Sequence, residues 1–251
     1  MPTTAGLWLP MLLLVAFAFT FETTLGFGAT IVTVAIGSLF VPTDTILHSF
    51  VPINVILSAV LVARGRNAVA LRLLLRDVAP FALLGVPFGL FAASAVAERP
   101  LKLCLGVATL SLAALELRPK RAGAPPAREL SPWLARPLLF AGGVLHGMFG
   151  SGGPMIVYVL GRTLGAEKAA FRATLSVLWL ILNSALLVSF ARDGHIGEAS
   201  LQKSAAFGLA MLVGLFAGQK LHDRVDAKRF QVTIFAMLGA VGLVLVIKNA
   251  L

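Results

Sequence analysis

Long apolar runs alternate with short polar or basic breaks along this chain, and the run lengths set the first expectations. The runs 78–97 and 173–191 are apolar enough to cross a hydrocarbon core about 30 Å thick as helices. The same pattern predicts further long helices at about 46–63, 101–117, 204–220 and 230–248. Two earlier stretches, 7–21 and 137–149, are shorter. Each runs into a cluster of glycines, and each is followed by a second short stretch, 29–41 and 153–161. Thirteen helical residues rise only about 20 Å, too little to span comfortably. Joined into one helix, the second pair would be overlong and broken by Gly150, Gly152, Gly153 and Pro154. A re-entrant hairpin with its tip inside the membrane fits both lengths. The alternation of a membrane β-barrel is absent.

Composition agrees. The chain is 58% hydrophobic with 13% charged residues, and its mean hydropathy is +0.92. So few charges cannot cover a soluble domain of 251 residues. The fold class is therefore an all-α polytopic membrane protein. A net charge of +10 raises the question of nucleic acid. It is better read as Lys and Arg in cytoplasmic loops, and no nucleic-acid partner is expected. Cys104 is the only cysteine, which excludes a disulfide framework and a thiolate metal site. No HExxH or Ser-His-Asp spacing appears, and His195 and His222 read as loop residues outside any metal set. No cofactor or metal is expected. No Lys or Arg precedes the first apolar run, which reads as a membrane segment rather than a cleaved signal peptide.

The stretch RPKRAGAPPARELSPWLARP opens a basic, Pro-rich linker and divides the chain into 1–117, the linker 118–136, and 137–251. The halves match internally. GFGATIVTVAIG (26–37) aligns with GSGGPMIVYVLG (150–161) at an offset of 124, SAVLV with SALLV at 126, and GLFA (89–92) with GLFA (214–217) at 125. Three matches in order at a nearly constant offset indicate two repeats, each a re-entrant or short helical hairpin followed by three transmembrane helices. If each hairpin enters and leaves on one side, 16 of the 21 Lys and Arg fall inside and 5 outside. If each pair is one broken span, the division is 12 to 9. The first distribution obeys the positive-inside rule and makes the repeats inverted. Two full short spans per pair give the same parity, so the span count stays open.

Inverted repeats with broken helices are the build of many secondary transporters, whose site lies near the midplane. Gly26, Phe27, Gly28 and Thr30 form one tip, and Gly150, Ser151, Gly152 and Gly153 the other. Each precedes a half-helix N-terminus, where unpaired N–H groups and the helix dipole favour an anion. Close packing through small residues is the bland alternative. Glu22 and His146 stand one turn before the tips at the same offset of 124. Ionisable groups at membrane depth are costly, and this pair is a candidate for proton coupling or a static buried pair. His48 and Arg172 correspond at 124 as well. His48 joins the proton-coupling candidates. Arg172 reads either as an anion clamp or as an arginine snorkelling to the interface. Asn54 and Asn183 read as site-lining donors or as helix-to-helix hydrogen bonds. Gly208, Gly214 and Gly218 suit packing within one chain or between copies of a homo-oligomer.

With LGFGATIV (25–32), FGSGGPMIV (149–157) and RATLS (172–176) in two apolar halves, the chain resembles the sulfite exporter TauE/SafE family over nearly its whole length. The resemblance implies transport of sulfite or an organosulfonate across the bacterial inner membrane, with the glycine motifs falling on Gly26, Gly28, Gly150, Gly152 and Gly153. The first tip departs from the family in Ala29-Thr30, and HSFVP (48–52) departs from its usual ATS-type stretch. The expectation is a secondary active transporter, not an enzyme, that holds a small anion between two half-helix N-termini at the midplane, with protons as the candidate coupling ion. An intramembrane enzyme using Glu22 and His146 as acid and base, and an anion channel, are the alternatives.

Overall fold

The computed structural model describes residues 5–38, 40–118, 130–164, 167–224 and 226–250. Most of the basic linker, 119–129, lies outside the described residues. Every described regular element is helical. The helices are α1 (Ala5–Leu25), α2 (Ala29–Gly37), α3 (Thr43–Gly65), α4 (Leu71–Ala95), α5 (Glu98–Leu117), α6 (Pro132–Phe149), α7 (Gly153–Leu164), α8 (Lys168–Arg192), α9 (Glu198–Arg224) and α10 (Ala227–Ala250). Six helices, among them α1, α3, α4, α8 and α9, are long and apolar enough to cross a membrane, the sixth being Val232–Ala250 within α10. The chain is a polytopic membrane protein.

The long helices predicted from the pattern are present, with ends that extend past the apolar runs into polar turns. Pro52 and Pro87 lie inside α3 and α4. In α4 the segment Leu74–Val78 widens into a π-turn just before Pro80, where a proline removes one N–H from the helical ladder.

The first arms of the hairpins differ from expectation. The α1 helix has 21 residues and α6 has 18, about 31 and 27 Å of rise, so neither is too short to span. The α6 helix starts at Pro132, inside the stretch assigned to the linker. Proline suits a first helical turn because its missing N–H has no partner there anyway, and Trp133 and Arg136 continue the helix beyond the apolar run. The second arms are short, 9 residues in α2 and 12 in α7. Each hairpin is thus a long arm, a glycine break and a short return arm.

The chain forms two compact units that cut across its sequence halves. One comprises Met1–Val69 with Arg172–Val225, and the other Ala70–Phe171 with Asp226–Leu251. In the first, α2 folds back along α1, so that Gly37 faces Met11 and Ile46. The long arm α1 lies on α9, where a Cβ on Gly214 would stand 2.6 Å from Phe19 Cβ and one on Gly218 would stand 2.5 Å from Thr20 O. Phe19 also stacks on Phe50 of α3, with centroids 4.7 Å apart. In the second unit α7 folds back on α6 at Gly142 and Ile156, and α6 lies on α4. There Gly85 and Gly89 meet Gly143 and Gly147 so closely that backbone touches backbone.

The repeated GLFA segments explain themselves here. Gly89 and Gly214, offset by 125, each receive the long arm of the hairpin in their own unit. Lipid tails are as apolar as leucine, so helices in a membrane associate largely through such close packing. Gly214 and Gly218 pack within the chain, the first of the two readings open for them. Gly208 meets only Ile53 Cδ1, at 3.8 Å.

Candidate functional site: two glycine breaks

The first break begins where α1 ends at Leu25. Gly26 and Gly28 have φ of 89° and 115°, values that a side chain would make costly. They allow the chain to reverse and to start α2 at Ala29. Everything at the turn is buried: Leu25, Phe27, Ala29 and Thr30 all lie inside.

A helix that ends inside protein must place its last carbonyls, and four carbonyls around this end have partners. Glu22 O accepts from Gly26 N–H at 2.7 Å. Thr23 O accepts from the Arg172 guanidinium at 3.0 Å, Thr24 O from His222 Nδ1 at 2.7 Å, and Gly26 O from Trp179 Nε1 at 2.7 Å. Arg172 also donates to Gln219 Oε1 at 3.1 Å, and its Cα lies directly against Gly26. Three side chains from α8 and α9 therefore hold the end of α1.

Neither sequence reading of Arg172, clamp or snorkel, described this. Its guanidinium is a cap for a helix C-terminus, where positive charge is favoured. His222 is likewise no loop residue; it is buried near the end of α9. Sequence inspection missed Trp179, Gln219 and His222 because their partners lie 47 to 198 residues away. The only available hint was Trp179 in an otherwise apolar helical run.

The other side of the break presents the N-terminus of α2. Glu22, 3% exposed, turns its carboxylate back over the break and accepts the Ala29 N–H at Oε2, 2.9 Å away. Asn54 from α3 stands beside this carboxylate. Asn54 is 2% exposed and donates through Nδ2 to Thr30 Oγ1 at 3.1 Å, while its Oδ1 has no partner. Thr33 Oγ1, one turn further, is also buried without a partner. The Thr30 and Ile31 N–H groups find no acceptor among the described residues. The structure thus gathers Glu22, Gly26, Phe27, Gly28, Thr30, Asn54 and Arg172 at one break.

The second break follows the same plan within its own unit. Gly150 ends α6 with φ 61° and bonds back to His146 O at 2.7 Å. His146, 1% exposed, faces the break, and its Nδ1 accepts the Gly152 N–H at 3.4 Å. Gly152 is wedged against Gly142, whose carbonyl oxygen would lie 2.1 Å from an added Cβ. Ser151 and Gly153 are buried, and Pro154 occupies the first turn of α7. Glu22 and His146, equivalent in sequence, do equivalent work: each accepts an N–H from the backbone that begins the return arm.

Two predicted residues lie elsewhere. His48 packs at the far end of α8, its ring 4.7 Å from Phe190 and stacked 4.5 Å from His195. Along α8 that is about 27 Å from Arg172, so the structure does not bring His48 to the break. Asn183 is buried in α8 with its Oδ1 unpartnered, and among the described residues no hydrogen bond joins it to the break residues. The first break is level with Arg172, one turn into α8, and with the last two turns of α9. The long first arm carries it past the middle of these helices. Among the described residues, no three His, Cys, Asp or Glu converge on a metal position.

A family model described as sulfite exporter TauE/SafE matches residues 11–245 of this chain. No curated protein and no solved structure matches it.

Proposed function

We propose, because this chain belongs to the sulfite exporter TauE/SafE family of membrane transporters, that it is a secondary transporter of a small anion working by alternating access. Sulfite or an organosulfonate is the substrate class, and the bacterial inner membrane the location. Each glycine break offers backbone N–H groups to an anion, with Gly26, Phe27, Gly28, Thr30 and Asn54 around the first and Gly150, Ser151, Gly152 and Gly153 around the second. The observation that carries this reading is the Glu22 carboxylate on the Ala29 N–H. An oxyanion already sits on this half-helix N-terminus, where the backbone dipoles converge. A sulfonate presents oxygens of the same charge type.

Purified protein in liposomes tests the proposal. Concentrative, gradient-driven flux marks a transporter, passive flux a channel, and product formation an enzyme. A thermal-shift panel of sulfite, taurine, sulfoacetate, isethionate, sulfate and acetate reads the substrate class. Stabilisation by acetate alone would overturn the sulfonate assignment.

A further inference from the structure

We infer that Glu22 is a tethered occupant of the anion position at α2, and that the transported anion takes this position only as Glu22 leaves it and binds a proton. The inference rests on the transport reading above; it adds the coupling ion and the residue that carries it.

The geometry makes the two anions exclusive. The Ala29 N–H points to one acceptor, and Glu22 Oε2 holds it at 2.9 Å. A second negative charge within the same buried turn would be repelled strongly, because the surroundings screen little. The break nevertheless has donors in excess, since the Thr30 and Ile31 N–H groups have no acceptor among the described residues. An oxyanion offers several oxygens where one carboxylate oxygen now serves a single N–H.

The second observation is Asn54. Its Oδ1 is a buried acceptor without a partner, on a side chain fixed to α2 by its bond to Thr30. Leaving such a group unmatched is costly. What is missing is a donor; Asn54 presents its amide N–H to the charged Glu22, and a Glu22 carboxyl that turns away from Ala29 and takes a proton is a group that supplies one. Anion arrival and proton arrival thus repair opposite defects of the same turn.

The step balances without any redox change. The hydrogen bond from Ala29 N–H to Glu22 breaks and one from Ala29 N–H to the anion forms. The carboxylate gains one proton from the aqueous side and becomes a neutral acid. The local charge is −1 before and −1 after, so one proton accompanies each monoanion. The neighbouring ionisable groups act on the other side of the break: Arg172 from α8 on Thr23 O, with Asp223 near it, and His222 from α9 on Thr24 O. The α2 and α3 helices contribute the neutral Thr30 and Asn54. No cation bonds to the Glu22 carboxylate among the described residues.

The test is calorimetry with isethionate and with sulfite, each in two buffers of different ionisation enthalpy, which counts protons taken up per anion bound. Wild type is compared with Glu22→Gln and Glu22→Ala, so any titration of the ligand itself cancels in the difference. The expected result is about one more proton per anion in wild type than in either variant. Both variants should bind about tenfold more tightly than wild type at the alkaline end of the range, and the affinities should converge towards acid pH. Because Glu22→Gln keeps the volume and Glu22→Ala removes the occupant altogether, a folding failure in one leaves the other to decide. Equal proton counts in wild type and a folded variant would overturn the inference and leave the transport reading standing. Binding of neither anion to wild type would overturn both.

Discussion

Replacing Gly89 by Ala is the sharpest probe of how the hairpins are held. A Cβ at Gly89 would stand 2.0 Å from Val144 O and 2.8 Å from Gly147 Cα, where ordinary contact begins near 3.4 Å. The shortfall against the carbonyl is about 1.4 Å, and both partners are backbone, so no side chain can turn aside. Helices α4 and α6 must separate along this seam. Overpacking of this kind costs about 3 kcal/mol, the upper end of its usual range, because the strain spreads to Gly85, Gly143 and Gly147. Alanine returns about 1 kcal/mol through its better helix propensity. The net loss is about 2 kcal/mol, which corresponds to a fall of roughly 4–8 °C in a chain of this size. Gly208→Ala is the control, since only Ile53 Cδ1 at 3.8 Å faces that position. It should be neutral or gain up to about 1 kcal/mol from propensity alone. Intrinsic fluorescence melting in detergent reads both. A Gly89→Ala protein that melts with wild type, or below which Gly208→Ala melts, would refute the backbone-on-backbone account of the α4–α6 seam.

Three further outcomes follow from the same geometry. Trp179→Phe keeps an aromatic ring but leaves Gly26 O buried without its donor, at a cost of about 1–3 kcal/mol. Trp133→Phe, at a position 90% exposed, should leave the melting temperature unchanged. Gly152→Ala would place a Cβ 2.1 Å from Gly142 O and 3.1 Å from His146 Cβ, so it should abolish sulfite flux in liposomes even where the protein still elutes as a folded species; wild-type flux would contradict the packing of the second break. In a Cys104→Ser background, Asp193→Cys should react with an impermeant maleimide applied to intact cells and Asn67→Cys should react only after lysis. The reverse pattern would overturn the orientation drawn from loop charges.

Much of this was legible in the amino-acid order because the decisive residues announce themselves by being out of place. Glycines at 26, 28, 150 and 152 stand in apolar runs, and Glu22 and His146 stand one turn ahead of them, so both breaks and the acceptors facing them could be named. The repeated GLFA marked equivalent positions in the two halves, and Gly89 and Gly214 there fill the same packing role. Other features were not legible. The apolar runs at 7–21 and 137–149 understated α1 and α6, because helices continue through polar interfacial turns that hydropathy excludes. Likeness between halves does not say which helices touch, so packing units that take helices from both halves had no sequence signature. Trp179 and Gln219 read as ordinary helix residues and His222 as a loop residue, because nothing in the sequence shows that the carbonyls of α1 need partners from α8 and α9.

The glycine seams have a consequence for motion. Where backbone rests on backbone, there is no layer of side chains to shear, so a long arm and its partner helix have no cheap way to slide past one another. The arm α1 therefore travels with α9, and α6 with α4. His222 and Gln219 ride on α9 with the break whose end they help to fix. Any rearrangement at that break is then confined to what those seams leave loose: the Glu22 side chain, the first turn of α2, and whatever ion arrives there.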